Sequence, residues 1–362
     1  MSLGLVEKIA NAVLYEGYIL YPYRPSAVKN QQRWNFGALC PPSYSQAQGG
    51  TEACVMQTQC LVQGDENSTL DVKVRFLHLL EREIGELTKP SAELDEGVEP
   101  DFRTVASLSV NGRLFQTWQE AVERDVHLPN LSLSETVEQP RRLTFNFPSS
   151  RTLEPLRDES EAQIVGLVIR RQQAIEGALE VMAERVMEEA YKLTVRILNL
   201  TLLKDAGLKS RDEALMRSLV STHTILSVRD GEFISLLDPP AAFQEAGASC
   251  QNTGTYPVLV GEDGARDCML SSPIILYDYP QIAPESAGEL FDGTEIDEIL
   301  TLRIMTLTDE EKREMRGADE RARQILERTE TLPAEQLKKM HGAMKQVQGS
   351  KFKVQSQNDF KP

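Results

Sequence analysis

The sequence predicts an α+β protein with a β-rich body of antiparallel hairpins, an N-terminal helix and a helical C-terminal part. Three observations predict this class. Many segments alternate apolar and polar residues with a period of two, as half-buried strands do. The dipeptides Asn111-Gly112 and Asp230-Gly231 stand between such segments and are typical of tight hairpin turns. After about residue 294, the apolar residues recur with helical spacing instead.

Length and composition indicate a globular chain. It has 362 residues, of which 41% are hydrophobic and 26% charged, and this balance can support a core. The net charge of −16 disfavours nucleic acid as a partner, because neutralising phosphates requires a surplus of Lys and Arg. No apolar run approaches the roughly 20 residues that span a bilayer, and the N-terminus does not resemble a signal peptide. We therefore expect no membrane span and a cytoplasmic location.

Residues 1–150 are predicted to form an α+β subdomain. It begins with an amphipathic helix whose inward residues are Leu5, Ile9, Ala10 and Val13. Residues 54–80 alternate on both sides of Gly64–Ser68 and predict a hairpin with its turn there. Residues 81–102 are acidic and contain proline, which predicts a surface connector or a flexible insertion.

A second hairpin is predicted around Asn111-Gly112, because a type I′ turn needs positive φ at both central residues. Its register places Leu108 opposite Phe115. Residues 118–126 are expected to continue as a short helix, and residues 141–148 form a strand that Pro148 ends. The Ser-, Arg- and Glu-rich segment 149–162 is the predicted internal boundary.

Residues 160–307 are predicted to form a β-rich subdomain with short helices. Residues 164–171 and 192–203 are expected strands, whereas residues 174–189 fit both a strand and a helix, and the strand is favoured because a clear β segment follows. Ser210 and Glu213 form a capping box that begins a short helix. A third hairpin is predicted at 223–240, with two short strands at 257–264 and 272–280.

The remaining residues are predicted to form a helical C-terminal arm at 308–350 and a disordered tail at 351–362. The residues Ile296, Ile299, Leu300 and Ile304 indicate one preceding helix. Thr308 and Glu311 have capping-box spacing and begin the next helix. The tail is short of apolar residues that could be buried.

The stretch 14–41 concentrates aromatic rings and isolated cations in an acidic chain. It has no Asp or Glu between Glu16 and Glu52. Aromatic rings with cations often form recognition surfaces, so a partner-binding surface is predicted here. The alternative is that the rings pack under a loop and the cations are solvated. The predicted partner-binding residues are Tyr21, Tyr23, Arg24, Lys29, Arg33 and Trp34.

Two sets of residues are candidates for catalysis. If the first hairpin is symmetric, Cys54 lies opposite His78, and such a pair can be a nucleophile dyad or half of a metal site. Asp292 and Glu295 belong to the densest acidic run and could act in acid–base catalysis or hold a cation. The alternatives are a buried core pair in the first case, and helix capping with solvation in the second.

No motif supports either catalytic set. The chain lacks a phosphate-binding loop, a nucleophile elbow and a zinc-protease motif. Its five cysteines are expected to be free thiols, with a disulfide between Cys250 and Cys268 as the alternative. We therefore assign no catalytic residue and expect no metal and no cofactor.

The segments 14–39 and 271–316 together resemble an uncharacterised bacterial family whose genes are associated with the uptake nickel–iron hydrogenase operons of soil bacteria. The resemblance extends to about residue 330. It implies a hydrogenase-associated accessory protein that acts in assembly, stability or docking, with a hydrogenase subunit or maturation factor as its protein partner. The expected function is therefore non-enzymatic protein binding, and the alternative is an enzyme of unfamiliar type that uses Cys54 and His78 or the carboxylate cluster.

Overall fold

The computed structural model describes residues 3–14, 35–94, 98–281, 304–318 and 320–331. Its antiparallel sheets, N-terminal helix and C-terminal helices confirm the predicted β-rich α+β class. The helices are α1 (Leu3–Leu14), α2 (Pro42–Ala47), α3 (Leu133–Glu138), α4 (Arg211–Leu215), α5 (Gln244–Ala248), α6 (Asp309–Ala318) and α7 (Glu320–Thr331). The strands are β1 (Val55–Ser91), β2 (Phe102–Val105), β3 (Ser107–Val110), β4 (Arg113–Gln116), β5 (Trp118–Ser132), β6 (Arg141–Phe147), β7 (Ser150–Asp158), β8 (Gln163–Gln172), β9 (Ile175–Met187), β10 (Ala190–Asn199), β11 (Val220–Ile234), β12 (Tyr256–Leu259) and β13 (Cys268–Ser272).

Strand β1 is 37 residues long and organises the main sheet. One of its edges pairs in turn with β10, β5 and β2, and the other pairs with β11 and then β8. The sheet continues through β13 and β12 beyond β11, and through β9 and β6 beyond β10, while β7 pairs with β8. Strands from both halves of the chain are therefore hydrogen-bonded directly to β1.

The predicted boundary at 149–162 contains strand β7 and is not an irregular linker. Because β7 pairs with β8, and β8 pairs with β1, the sheet has no break at this point of the chain. The division into subdomains near residue 150 stays a prediction about folding units.

Two predicted hairpins, at 54–80 and 223–240, are wrong. Each segment belongs to one continuous strand, β1 or β11, and the two strands pair with each other. The predicted turns face each other, because Gly64 pairs with Gly231 and the next aligned pair is Thr69 with Arg229. Period-two alternation is the same in a hairpin and in one bulged strand, so the pattern alone could not separate them.

The turn-type residues stabilise this bulge. Asp230 has a positive φ of 54°, which Asp tolerates better than most residues. The Ser68 hydroxyl accepts a hydrogen bond from the Asp65 amide at 2.8 Å and donates one to the carbonyl oxygen of Asp230. The local turn signals were therefore real, but they mark a bulge inside two long strands.

Three further expectations are wrong. Residues 118–126 belong to strand β5 and pair with β1 from Val74 to Arg82. Residues 81–91 continue β1 and pair with β2 and β8, so the predicted connector begins only after Ser91. The segment 272–280 is irregular, since strand β13 ends at Ser272 and Pro273 has no amide hydrogen for a ladder.

Other local predictions are confirmed. Leu108 pairs with Phe115, and both Asn111 and Gly112 have positive φ, at 50° and 74°. The favoured strand at 174–189 is β9. Helix α4 begins with the capping box of Ser210 and Glu213, and Thr308 and Glu311 exchange the hydrogen bonds of a second box before α6. The predicted helix around Ile296 and the tail after residue 350 lie outside the described residues.

Helix α1 covers β11, β12 and β13. Its buried side chains in this cluster are Val6, Ile9, Ala10 and Val13, and three of the four predicted inward residues are among them. They pack against Ile225 and Leu270 of the sheet. The side chain of Leu5 is outside the described set. No helix in the described part of the chain is long and apolar enough to cross a membrane.

Helix α6 docks on strand β4 through a glycine, and α7 packs on α6. Gly317 is buried, and a Cβ atom at this position would lie 2.3 Å from the carbonyl oxygen of Leu114. The Gly317 carbonyl accepts a hydrogen bond of 2.7 Å from the Arg82 guanidinium of β1. The close approach of the α6 backbone to β4 therefore requires the absence of a side chain.

Replacing Gly317 with alanine is expected to lower the free energy of unfolding by about 1–3 kcal/mol, because the new methyl group overpacks the contact with Leu114. Gly4→Ala is the matched control: it is also a helical glycine, but nothing lies within 4 Å of its added Cβ. The control should be neutral or stabilised by up to about 1 kcal/mol. Denaturant unfolding and hydrogen exchange of the α7 amides measure the effect, and equal behaviour of the two variants would refute the close contact.

Candidate functional site

The chain after β13 presents two large apolar side chains to solvent. Residues 273–281 lie outside the regular strands, with bends at 273–274 and 278–279, and Tyr279 has a positive φ of 55°. Ile274 and Leu276 pack with the buried cluster under α1. By contrast, Ile275 and Tyr277 are 71% and 82% exposed.

Hydrogen bonds hold the backbone of this segment in place. The Asp278 carboxylate accepts hydrogen bonds from the Leu259 amide at 2.8 Å and from the Ser235 hydroxyl at 2.5 Å. The Tyr279 amide donates to the Leu259 carbonyl at 2.8 Å. Ile275 and Tyr277 are therefore exposed on a segment that is attached to the sheet on both sides of them.

Gly37, next to Phe36 in sequence, contacts the beginning of the same segment. Gly37 has a φ of +55°, and a Cβ atom added there would lie 2.7 Å from the Cβ and Cγ of Pro273. The Phe36 carbonyl accepts a 3.0 Å hydrogen bond from the Ser221 amide, while the Phe36 side chain is 44% exposed. We refer to Phe36, Ile275 and Tyr277 as the apolar face.

The apolar face joins the two segments that carry the sequence resemblance, 14–39 and 271–316. The predicted partner-binding residues Tyr21, Tyr23, Arg24, Lys29, Arg33 and Trp34 lie outside the described residues. The structure describes the residues on either side of this stretch, and both flanks contact the same part of the sheet. Helix α1, which ends at Leu14, packs on β11 and β13, and Gly37 lies against Thr222 and Pro273.

The sequence pattern did not indicate the residues of the apolar face. The segment 272–280 was expected to be a short strand. The available signal was the position of residues 274–277 between Pro273 and Pro280, which disfavours a paired strand. Phe36 carried no signal beyond its closeness to Trp34 in sequence.

The predicted catalytic pair is not assembled. Cys54 precedes the first residue of β1, and His78 lies further along the same strand, where it pairs with Val122. His78 Nε2 lies 2.9 Å from the carbonyl oxygen of Gln173. Burial lowers the pKa of His78 to about 4, so its ring is neutral at pH 7. The symmetric hairpin that would have placed the two side chains opposite each other does not exist.

The cysteines are free, and Cys250 does not pair with Cys268. Burial raises the pKa of the Cys40, Cys60 and Cys250 thiols above its ordinary value. The thiolate is the nucleophilic form of cysteine, so burial makes these three thiols less reactive. Cys40 and Cys60 are buried core residues, whereas Cys250 is partly buried.

Asp292 and Glu295, the other catalytic candidates, lie outside the described residues. Within the described ranges, no three His, Cys, Asp or Glu side chains are grouped so that they could hold a metal ion. The catalytic alternative thus retains only the carboxylate cluster, which stays a prediction from the sequence.

No protein-family model matches the chain, and no curated protein matches it significantly. The link to hydrogenase operons therefore stays a hypothesis from the sequence.

Proposed function

We propose that this protein is a non-enzymatic accessory protein that docks a protein partner on the apolar face, and that the partner is a hydrogenase subunit or maturation factor. The observation that carries the proposal is the exposure of Ile275 and Tyr277, at 71% and 82%, on a segment attached to the sheet. The sequence resemblance supports the identity of the partner.

Exposed apolar residues are common one at a time and need no explanation on their own. Here the exposed side chains alternate in sequence with two partly buried ones, so the packing of Ile274 and Leu276 against the core cluster also restrains the backbone of Ile275 and Tyr277. A preordered surface loses less conformational entropy on binding than a mobile one. Tyrosine is also among the residues that most often dominate binding energy at interfaces.

The stretch 14–41 adds cations to the proposed binding residues. Arg24, Lys29 and Arg33 belong to a segment without nearby carboxylates in sequence, on a protein of net charge −16. Charges at the rim of an interface mainly steer association and select the partner, while a central apolar cluster supplies most of the affinity. The proposed interface combines these two elements.

Replacing Ile275 and Tyr277 together with serine is expected to weaken partner binding at least tenfold, because loss of a central anchor costs about 2 kcal/mol or more. The free energy of unfolding should change by no more than about 0.5 kcal/mol, since both side chains are exposed. Surface plasmon resonance against purified hydrogenase subunits and maturation factors measures the affinity.

The matched control replaces Leu202 and Leu208 with serine. Both leucines are 87% exposed and lie between β10 and α4, away from residues 273–281 in sequence. The control should bind like the wild type. Equal weakening by both double variants would indicate nonspecific adhesion, and unchanged binding by the first would contradict the proposal.

A further inference from the structure

A group of polar side chains shares one face of the sheet where β1 exchanges its neighbour β11 for β8. His78 is a residue of β1. Two positions before it, Phe76 pairs with Arg124 of β5. Two positions after it, Leu80 pairs with Gln172 of β8. Paired residues of adjacent strands project to the same side, as do alternate residues of one strand. His78, Arg124 and Gln172 therefore project from the same side of the sheet.

Direct contacts link these side chains. Arg124 Nη2 donates a 3.1 Å hydrogen bond to Gln172 Oε1, and the Ser150 hydroxyl lies 3.4 Å from the same oxygen. The Arg124 guanidinium is stacked 5.0 Å from the centre of the Phe147 ring. The His78 ring approaches Phe147 edge-on at 6.3 Å. Phe147 is thus the common apolar neighbour of the cation and the imidazole.

Three nitrogen atoms of this group are buried without a hydrogen-bond partner among the described residues: Arg124 Nε, Gln172 Nε2 and His78 Nδ1. His78 is fully buried and Gln172 is 8% exposed. Buried polar atoms in folded proteins almost always have a partner, which can be a ligand or water. Three such atoms in one contact group leave a ligand or water to be identified as their partner.

Arg124 also forms no ion pair within the described part of the chain. Its neighbours on the same face differ: Arg82 and Arg170 bind the Glu120 carboxylate at 2.8 and 2.7 Å. A half-buried guanidinium beside aromatic rings is a favourable site for a carboxylate, which matches its planar donors.

The state of His78 adds a second requirement. Its Nε2 lies 2.9 Å from a carbonyl oxygen, which can only accept, so Nε2 carries the hydrogen and Nδ1 presents a lone pair. Burial lowers the pKa of His78 to about 4, and this keeps the ring neutral at pH 7. A ligand that completes the group must therefore offer acceptors to Arg124 and Gln172 and a donor to His78.

We propose that this cluster binds a small hydroxy acid. The carboxylate accepts hydrogen bonds from Arg124 Nε and Gln172 Nε2, the hydroxyl donates to His78 Nδ1, and the hydrocarbon part contacts Phe147. This site is separate from the apolar face and does not depend on the proposed docking function.

Lactate, propionate and lactamide test the proposal on the wild-type protein by isothermal titration calorimetry. Propionate lacks the hydroxyl and leaves His78 Nδ1 unpartnered, whereas lactamide lacks the charge that Arg124 requires. Lactate is expected to bind at least tenfold more tightly than either. Equal binding of lactate and propionate would overturn the role of His78. Absence of saturable lactate binding at millimolar concentrations would overturn the site and leave water as the partner of the three atoms.

Arg124→Gln should abolish lactate binding, because it removes the only cation in the cluster's contact group. Arg185→Gln is the matched control. Arg185 is also stacked on a ring, 5.3 Å from Tyr191, but its guanidinium donates to the Tyr191 hydroxyl and the Glu188 carbonyl. The control should bind lactate like the wild type, and equal loss in both variants would contradict the assignment.

Discussion

Replacing Arg82 with methionine is expected to lower the free energy of unfolding by about 3 kcal/mol. The Arg82 side chain is 7% exposed and pairs with Glu120 at 2.8 Å. It also donates to the carbonyl oxygens of Gln116 and Gly317 at 2.9 and 2.7 Å. Methionine fills similar space but leaves these buried acceptors unpaired.

Breaking one side of a buried ion pair typically costs about 3–5 kcal/mol, since an uncompensated charge remains. We expect a loss at the lower end of this energy range, because Arg170 still binds Glu120 at 2.7 Å in the variant and keeps its carboxylate paired. The exposed pair of Arg103 with Glu86 provides the control: Arg103 is 77% exposed, and Arg103→Met should cost less than about 1 kcal/mol. Chemical denaturation measures both, and a loss below about 1 kcal/mol in the Arg82 variant would show that this arginine does not attach α6 to the sheet.

Acidification from pH 6.5 to pH 4 is expected to destabilise the protein by up to about 3 kcal/mol for each of two buried histidines. Burial lowers the pKa of both His78 and His223 to about 4, and the nearby charges of Arg124 and Arg75 contribute in the same direction. In the unfolded chain a histidine titrates near its ordinary value of about 6.5.

The sign follows from proton uptake. Between pH 6.5 and 4 the unfolded chain binds these protons and the folded protein does not, so stability is fully present above about 6.5 and falls as the pH decreases. Carboxylates with lowered pKa, such as Asp125, add their loss only at lower pH.

The free energy of unfolding should fall less steeply between pH 6.5 and pH 4 in the His223→Phe variant than in the wild type. His223 Nδ1 lies 2.7 Å from the carbonyl oxygen of Ser221 and the residue is fully buried. The exposed His127 gives the control His127→Gln, which should keep the wild-type slope. A wild-type profile that is flat between pH 6.5 and 4 would contradict the burial of both rings.

Local patterns were sufficient for the fold class and for elements whose signals are local. The type I′ turn at Asn111-Gly112 and the capping box of Ser210 and Glu213 are each set by residues within four positions of one another. The course of β1 is different, because its partners begin at positions as distant as 118, 163, 190 and 220. No periodicity specifies which of these segments will pair, so a bulge was interpreted as a turn.

The sites were less predictable for the same reason. The apolar face depends on which side of residues 273–281 meets helix α1, and this follows from tertiary packing. The polar cluster joins His78, Arg124, Gln172 and Ser150 from four strands. Each residue alone is ordinary in its strand, and only the pairing of β1 with β5 and β8 brings them together.

The docking claim is tested most directly by site-specific cross-linking. A photoreactive phenylalanine analogue replaces Tyr277, whose side chain is 82% exposed, and in a second protein it replaces Leu208, which is 87% exposed. Each protein is irradiated with purified hydrogenase subunits and maturation factors, and the products are identified by mass spectrometry. Our account predicts a cross-link to one of these proteins from position 277 and none from position 208. Absence of a product from position 277, or equal yields from both positions, would contradict it.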